Sequence, residues 1–141
     1  MKSKFLFLIL AGALMTTGLA ACAPSSKKEE SESMQAAGAY HKISAEEAKQ
    51  KIEENSGMII VDVRTPEEYA QEHIEGAINI PNEEITDKEP EQLPDKDARI
   101  LVYCRSGVRS KQAADKLVVM GYGNVYDMGG INDWPCETVT E

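Results

Sequence analysis

Arg99-Ile100-Leu101-Val102-Tyr103-Cys104-Arg105-Ser106-Gly107-Val108-Arg109-Ser110 is the stretch on which the reading of this chain turns. Arg99–Tyr103 is almost continuously apolar, the pattern of a strand buried on both faces beneath helices. From Ser110 to Met120, Ala113, Ala114, Leu117 and Val118 recur at helical spacing, and Gly121 stops the run. A cysteine and two arginines therefore fall in the short turn between a buried strand and a helix. In open α/β sheets, ligands gather at the carboxyl ends of strands. The free N–H groups and positive dipole end of a helix start favour a thiolate at such a place. Gly107 lets the backbone curl into an anion-binding nest, and Arg105 and Arg109 add two cations. This is a pattern for a nucleophilic sulfur attacking an anion; the alternative is a buried structural cysteine with incidental arginines.

Working outward, Tyr40–Ile43 reads as a short strand, and Ser44 with Glu47 three residues on forms a capping box. Ala45, Ala48 and Ile52 carry the following helix to a turn at Asn55-Ser56-Gly57. Met58-Ile59-Ile60-Val61 is a second buried strand, leading through Asp62-Val63-Arg64 to Thr65-Pro66-Glu67-Glu68. That tetrapeptide has the marks of a helix start: a cap, a proline in the first turn, and acids at the positive dipole end. Ala77–Ile80 is a brief strand stopped by Pro81. Asn82–Pro94, acidic and punctuated by prolines, supports at most a short helix and a loop. Asn124–Met128 is a last strand, followed by Gly129-Gly130 and a tail that holds Trp134. Strands alternating with helices predict an α/β domain over residues 39–141, with a mostly parallel sheet and helices on both faces.

The chain has 141 residues and carries 15 Lys and Arg against 24 Asp and Glu, room for one domain of ordinary size. Residues 1–21 hold both phenylalanines and two of the cations, so the rest of the chain carries −11. So acidic a surface repels phosphate backbones, which argues against nucleic-acid binding. Three cysteines, Cys22, Cys104 and Cys136, can form neither a multi-disulfide scaffold nor a spaced zinc site, and no metal or organic cofactor is expected. Lys2 and Lys4 precede an apolar run from Phe5 to Ala21, the order of charges and apolar residues in a secretory signal. Leu19-Ala20-Ala21-Cys22 resembles a bacterial lipobox. That resemblance implies a signal peptide over 1–21, cleavage before Cys22, acylation of its thiol, and a chain anchored to the extracytoplasmic face of a cell membrane. Residues 22–38 are polar and charged without periodicity, as a flexible tether is.

Four separated stretches resemble the rhodanese (sulfurtransferase) family. Val61-Asp62-Val63-Arg64-Thr65-Pro66-Glu67-Glu68-Tyr69 is similar to its first signature, and His73-Ile74-Glu75-Gly76-Ala77-Ile78-Asn79-Ile80-Pro81 to the segment that follows it. Val102–Ser110 is similar to the active-site loop. Gly121-Tyr122, Val125-Tyr126, Gly129-Gly130 and Trp134 are similar to the closing signature. The resemblance implies a rhodanese fold with a five-stranded, mostly parallel sheet. It also implies transfer of a sulfane sulfur from thiosulfate or a persulfide to cyanide or a thiol, through a persulfide on Cys104. Arg105, Ser106, Gly107, Val108 and Arg109 would hold the anion, and Asp62 and Arg64 would be chiefly structural. Nothing calls for a second copy, so a monomer is expected.

Two rival readings come from other classes. Cysteine phosphatases and the related arsenate reductases of this fold space cysteine and arginine with five residues between them. Here four residues separate Cys104 from Arg109, a tighter ring suited to one sulfur rather than a phosphoryl group. A non-catalytic binding module of the family would usually lack the loop cysteine. His73 falls in a loop motif with a structural role, and Trp134 reads as a packing anchor. Cys136 is an incidental thiol, or else a partner that could close a disulfide with Cys104 and so require a thiol-redox partner.

Overall fold

The structure is a computed structural model that describes residues 39–54 and 57–141; the predicted signal segment, Cys22, the tether and the Asn55-Ser56 part of the first turn lie outside the described residues. In chain order the elements are β1 (Tyr40–Lys42), α1 (Ala45–Glu54), β2 (Ile59–Asp62), α2 (Pro66–Gln71), β3 (Ile78–Asn79), β4 (Ile100–Cys104), α3 (Val108–Val119) and β5 (Val125–Gly130), with a 3-10 turn at Ile131–Asp133. Five strands form one sheet in the order β1-β5-β4-β2-β3. Every pairing in it is parallel, so the sheet is parallel throughout. A lone antiparallel bridge outside it joins His73 to Val139 in the tail. No helix forms over 82–94. Ile85 and Leu93 are buried there, and the N–H groups of Glu84 and Leu93 close turns on the carbonyls of Pro81 and Pro90.

Strand β4 is buried along its whole length, and its side chains alternate between the two faces. Ile100, Val102 and Cys104 enter the core beneath α3 with Ala113, Ala114 and Leu117. Leu101 and Tyr103 enter the core on the other face, with Ala45 and Ala48 of α1, and Tyr69 of α2 packs there too. Burying both faces removes each large apolar side chain from water, worth about 1.5–3 kcal/mol apiece.

The order places a topological switch beside β4. From β2 the chain crosses to β3 on one side; from β4 it crosses to β5 on the other. The crossover helices α2 and α3 lie on opposite faces, so the carboxyl ends of β2 and β4 open onto a crevice between two helix N-termini. Such crevices are where open α/β sheets place ligands. Asp62 ends β2 and Cys104 ends β4 at that edge.

Candidate active site

Cys104 is the last residue of β4, not the first of a loop, and is 1% exposed. Its position in phase with Ile100 and Val102 keeps the sulfur at the top of the α3-side core. The chain then reverses through exposed Arg105 and Ser106 into Gly107, whose φ of 103° lies in the left-handed region that favours glycine. The Gly107 N–H donates to Cys104 Sγ at 3.0 Å. The Ser110 hydroxyl donates back to the Gly107 carbonyl at 3.0 Å, closing the turn from the helix side. Helix α3 therefore starts at Val108, two residues before the predicted Ser110, and Arg109 belongs to its first turn. Val108 is 65% exposed, so its side chain points to solvent rather than to the sulfur.

The end of β5 is pressed against the reversal. A Cβ on Gly130 would stand 2.4 Å from the Arg105 carbonyl oxygen and 3.1 Å from Ser106 Cα, so only a glycine leaves the turn room. Buried Asp127 holds this strand end. It accepts from the Gly129 N–H at 2.9 Å and the Tyr40 hydroxyl at 2.9 Å, and it pairs with Lys42 at 3.2 Å.

Across the crevice, the two arginines meet a carboxylate. Arg109 Nη1 and Nη2 donate to Glu68 Oε2 and Oε1 at 2.7 and 3.1 Å, a bidentate pair. Arg105 is 68% exposed and reaches the same carboxylate only at 3.9 Å. Glu68 is itself fixed by the N-terminus of α2, where it and Thr65 form a reciprocal capping box at 3.2 and 3.3 Å. Hydrogen bonds from Arg109 outweigh the cost of partial burial and pull the Glu68 carboxyl down to about 2. The same bonds push Arg109 above its ordinary value.

The rhodanese-like domain model matches residues 44–135, a span that holds all five predicted loop residues together with Asp62 and Arg64. The chain belongs to the rhodanese-like family. Among its relatives, thiosulfate sulfurtransferase PspE of Escherichia coli is 47% identical over 73 residues, covering 52% of this chain and 70% of that protein. A sulfurtransferase of Allochromatium vinosum is 38% identical over 67% of this chain and 87% of its own length. A solved structure described as rhodanese with anions from E. coli aligns with a TM-score of 0.55 and 42% identity, over 60% of this chain and 99% of that one. A rhodanese-like domain protein from Staphylococcus aureus aligns at 0.63 and 32%, over 72% and 98%.

In this rhodanese domain the other predicted residues divide cleanly. Asp62 and Arg64 form a buried pair at the end of β2. Arg64 Nε lies 2.9 and 3.0 Å from the two carboxylate oxygens, and Nη2 lies 2.6 Å from Oδ2 and 2.5 Å from the Glu72 carbonyl. Burial works against the Arg64 charge, but the Asp62 hydrogen bonds and charge more than offset it, so its pKa lies above the ordinary value. The pair ties β2 to the end of α2 instead of reaching toward the sulfur. His73 is buried, stacks on Tyr69 at 3.9 Å and places Nδ1 2.8 Å from the Tyr69 carbonyl. Cys136 is a free, exposed thiol on the α1 side of the sheet. It lines a cavity of about 200 Å³ with Ile52, Ile74 and Trp134. Cys104 belongs to the core on the opposite face, so the fold does not bring the two thiols together.

Sequence reasoning read Glu68 as a helix-start acid and missed its two arginine partners. The available signal was Thr65-x-x-Glu68 immediately beyond the end of a buried strand. A capping box there puts its carboxylate on the same sheet edge as the loop. Gly130 likewise read as part of a motif, without the backbone contact that requires it.

Proposed function

We propose that this protein is a sulfurtransferase that moves a sulfane sulfur from thiosulfate or a persulfide to a thiophilic acceptor, working as a monomer anchored by Cys22 to the extracytoplasmic face of a cell membrane. The observation that carries the reading is the Cys104 sulfur: it ends the central strand at the switch-point edge, takes the Gly107 N–H at 3.0 Å, and opens the short turn that carries Arg105 and leads to Arg109. The relatives named as sulfurtransferases support the same chemistry. Anchoring is supported by Lys2 and Lys4, the apolar run 5–21 and Cys22 in its small-residue context.

In the first step the Cys104 thiolate attacks the sulfane sulfur of thiosulfate. A Cys104–sulfur bond forms, the sulfur–sulfur bond of the donor breaks, and sulfite leaves with the bonding pair. The negative charge now rests on the outer sulfur of the persulfide, where the Gly107 N–H and the dipole of α3 favour it. In the second step cyanide or a thiolate attacks that outer sulfur. Thiocyanate or a new persulfide departs, and the Cys104 thiolate returns. Splitting the transfer this way is covalent catalysis and gives ping-pong kinetics. The test is thiocyanate formation from thiosulfate and cyanide. Parallel double-reciprocal lines for the wild type and loss of turnover in Cys104→Ser are expected. Retained turnover in Cys104→Ser would refute the mechanism.

A further inference from the structure

Glu68 is a negative group built into an edge that otherwise collects positive charge for an anion. It stands on α2, across the crevice from α3, and its carboxylate is held from three directions. Thr65 N–H binds Oε2 at 3.2 Å, Arg109 engages both oxygens, and Arg105 approaches at 3.9 Å. Two arginines alone would present +2; with Glu68 the three groups sum to +1. The clamp on Arg109 is tight and the hold on Arg105 loose, so Arg105 is the cation free to turn toward an incoming donor while Arg109 stays oriented. The carboxyl titrates at about 2, so the negative charge is present throughout the neutral range.

We propose that Glu68 is a specificity-determining positioning residue: it orients Arg109, lowers the net charge at the loop by one, and so restrains the preference for dianionic sulfur donors over monoanionic ones. The proposal deepens the sulfurtransferase reading and rests on it. Two donors separate the charge effect from general damage. Thiosulfate is a dianion and an arenethiosulfonate is a monoanion, and both carry a sulfane sulfur on a sulfonyl group. Each loses that sulfur to the Cys104 thiolate in the same displacement, one releasing sulfite and the other an arenesulfinate, with the charge conserved in both.

The experiment measures kcat/KM for both donors in the wild type, E68Q and E68D. Removing one charge a few ångström from the loop should favour the donor with the extra charge by at least about threefold at low ionic strength. The thiosulfate-to-thiosulfonate ratio is therefore expected to rise by that factor in E68Q and to fall back toward the wild-type ratio as salt is added. E68D keeps the charge and should keep the wild-type ratio, even if a shorter reach lowers both rates. A ratio unchanged in E68Q while both rates fall together would overturn the proposal and leave Glu68 a structural cap. A second arm uses inert anions, sulfate against methanesulfonate, whose dissociation constants should separate by the same factor in E68Q. Failure of the wild type to take sulfur from either of these donors and from a persulfide donor would refute the sulfurtransferase reading by itself, and the inert-anion ratio would still decide the role of Glu68.

Discussion

Gly130→Ala probes how closely the end of β5 is fitted to the turn that follows Cys104. Gly130 has φ −102° and ψ 141°, an extended conformation that alanine adopts freely, so the substitution carries no backbone strain. What it adds is a Cβ 2.4 Å from the Arg105 carbonyl oxygen and 3.1 Å from Ser106 Cα, where ordinary contact begins at about 3.4 Å. The shortfall is close to 1 Å, and one side must yield. Strand β5 is interior, paired to β1 and β4 on its two edges, and Gly130 itself is in register with Cys104. The exposed Arg105-Ser106 turn is the softer partner and is expected to move. A displacement of about 1 Å beside a nucleophile can lower the rate about 100-fold. Overpacking of this kind costs about 1–3 kcal/mol, which in a domain this size lowers Tm by roughly 4–8 °C per kcal/mol. The control is Gly76→Ala. Gly76 has φ 79° and open space around its Cβ position, so alanine there should cost about 1–2 kcal/mol in strain and leave the site intact. The assay is thiosulfate–cyanide turnover alongside thermal unfolding of both variants. If folded Gly130→Ala keeps kcat/KM within about twofold of the wild type, the fitted-turn argument is wrong.

Three further outcomes follow from the same contacts. Arg64→Ala leaves Asp62 buried and unpaired and should cost about 3–5 kcal/mol in a denaturant titration. The Glu68 carboxyl titrates at about 2 in the folded protein against 4.5 ordinarily, so its stabilisation is complete above 4.5 and is lost as pH falls through about 2. The unfolding free energies of wild type and Glu68→Gln should therefore differ by a constant amount near neutral pH, at most about 3 kcal/mol, and converge toward pH 2. Cys136→Ser should leave sulfur-transfer kinetics unchanged, and thiol counting on unreduced protein should find Cys104 and Cys136 both free.

The parts legible in the sequence are those where local pattern and burial coincide. Ile100–Tyr103 is apolar without interruption because both faces of β4 are covered, and Ala113, Ala114 and Leu117 recur because one stripe of α3 covers one of those faces. Asp62 and Arg64 were recognisable as supporting residues from their motif, two positions apart at a strand end. The start of α3 was hidden because Val108 faces solvent and Arg109 turns to Glu68, so neither adds to an apolar period; the left-handed turn at Gly107 sets that boundary. Strand β5 continues through Gly129 and Gly130, residues of low strand propensity, because it pairs with β4 up to Cys104. The Glu68–Arg109 pair spans 41 positions and arises only when α2 and α3 flank the same crevice. No local rule reaches that far.

The central claim, that Cys104 carries the sulfur, is tested most directly by mass spectrometry of the reduced protein after thiosulfate and again after cyanide. The account predicts one added sulfur on the peptide that contains Cys104, removed by cyanide as thiocyanate appears. A peptide that takes up no sulfur from thiosulfate or from a persulfide donor, or a sulfur found on Cys136 instead, would contradict it.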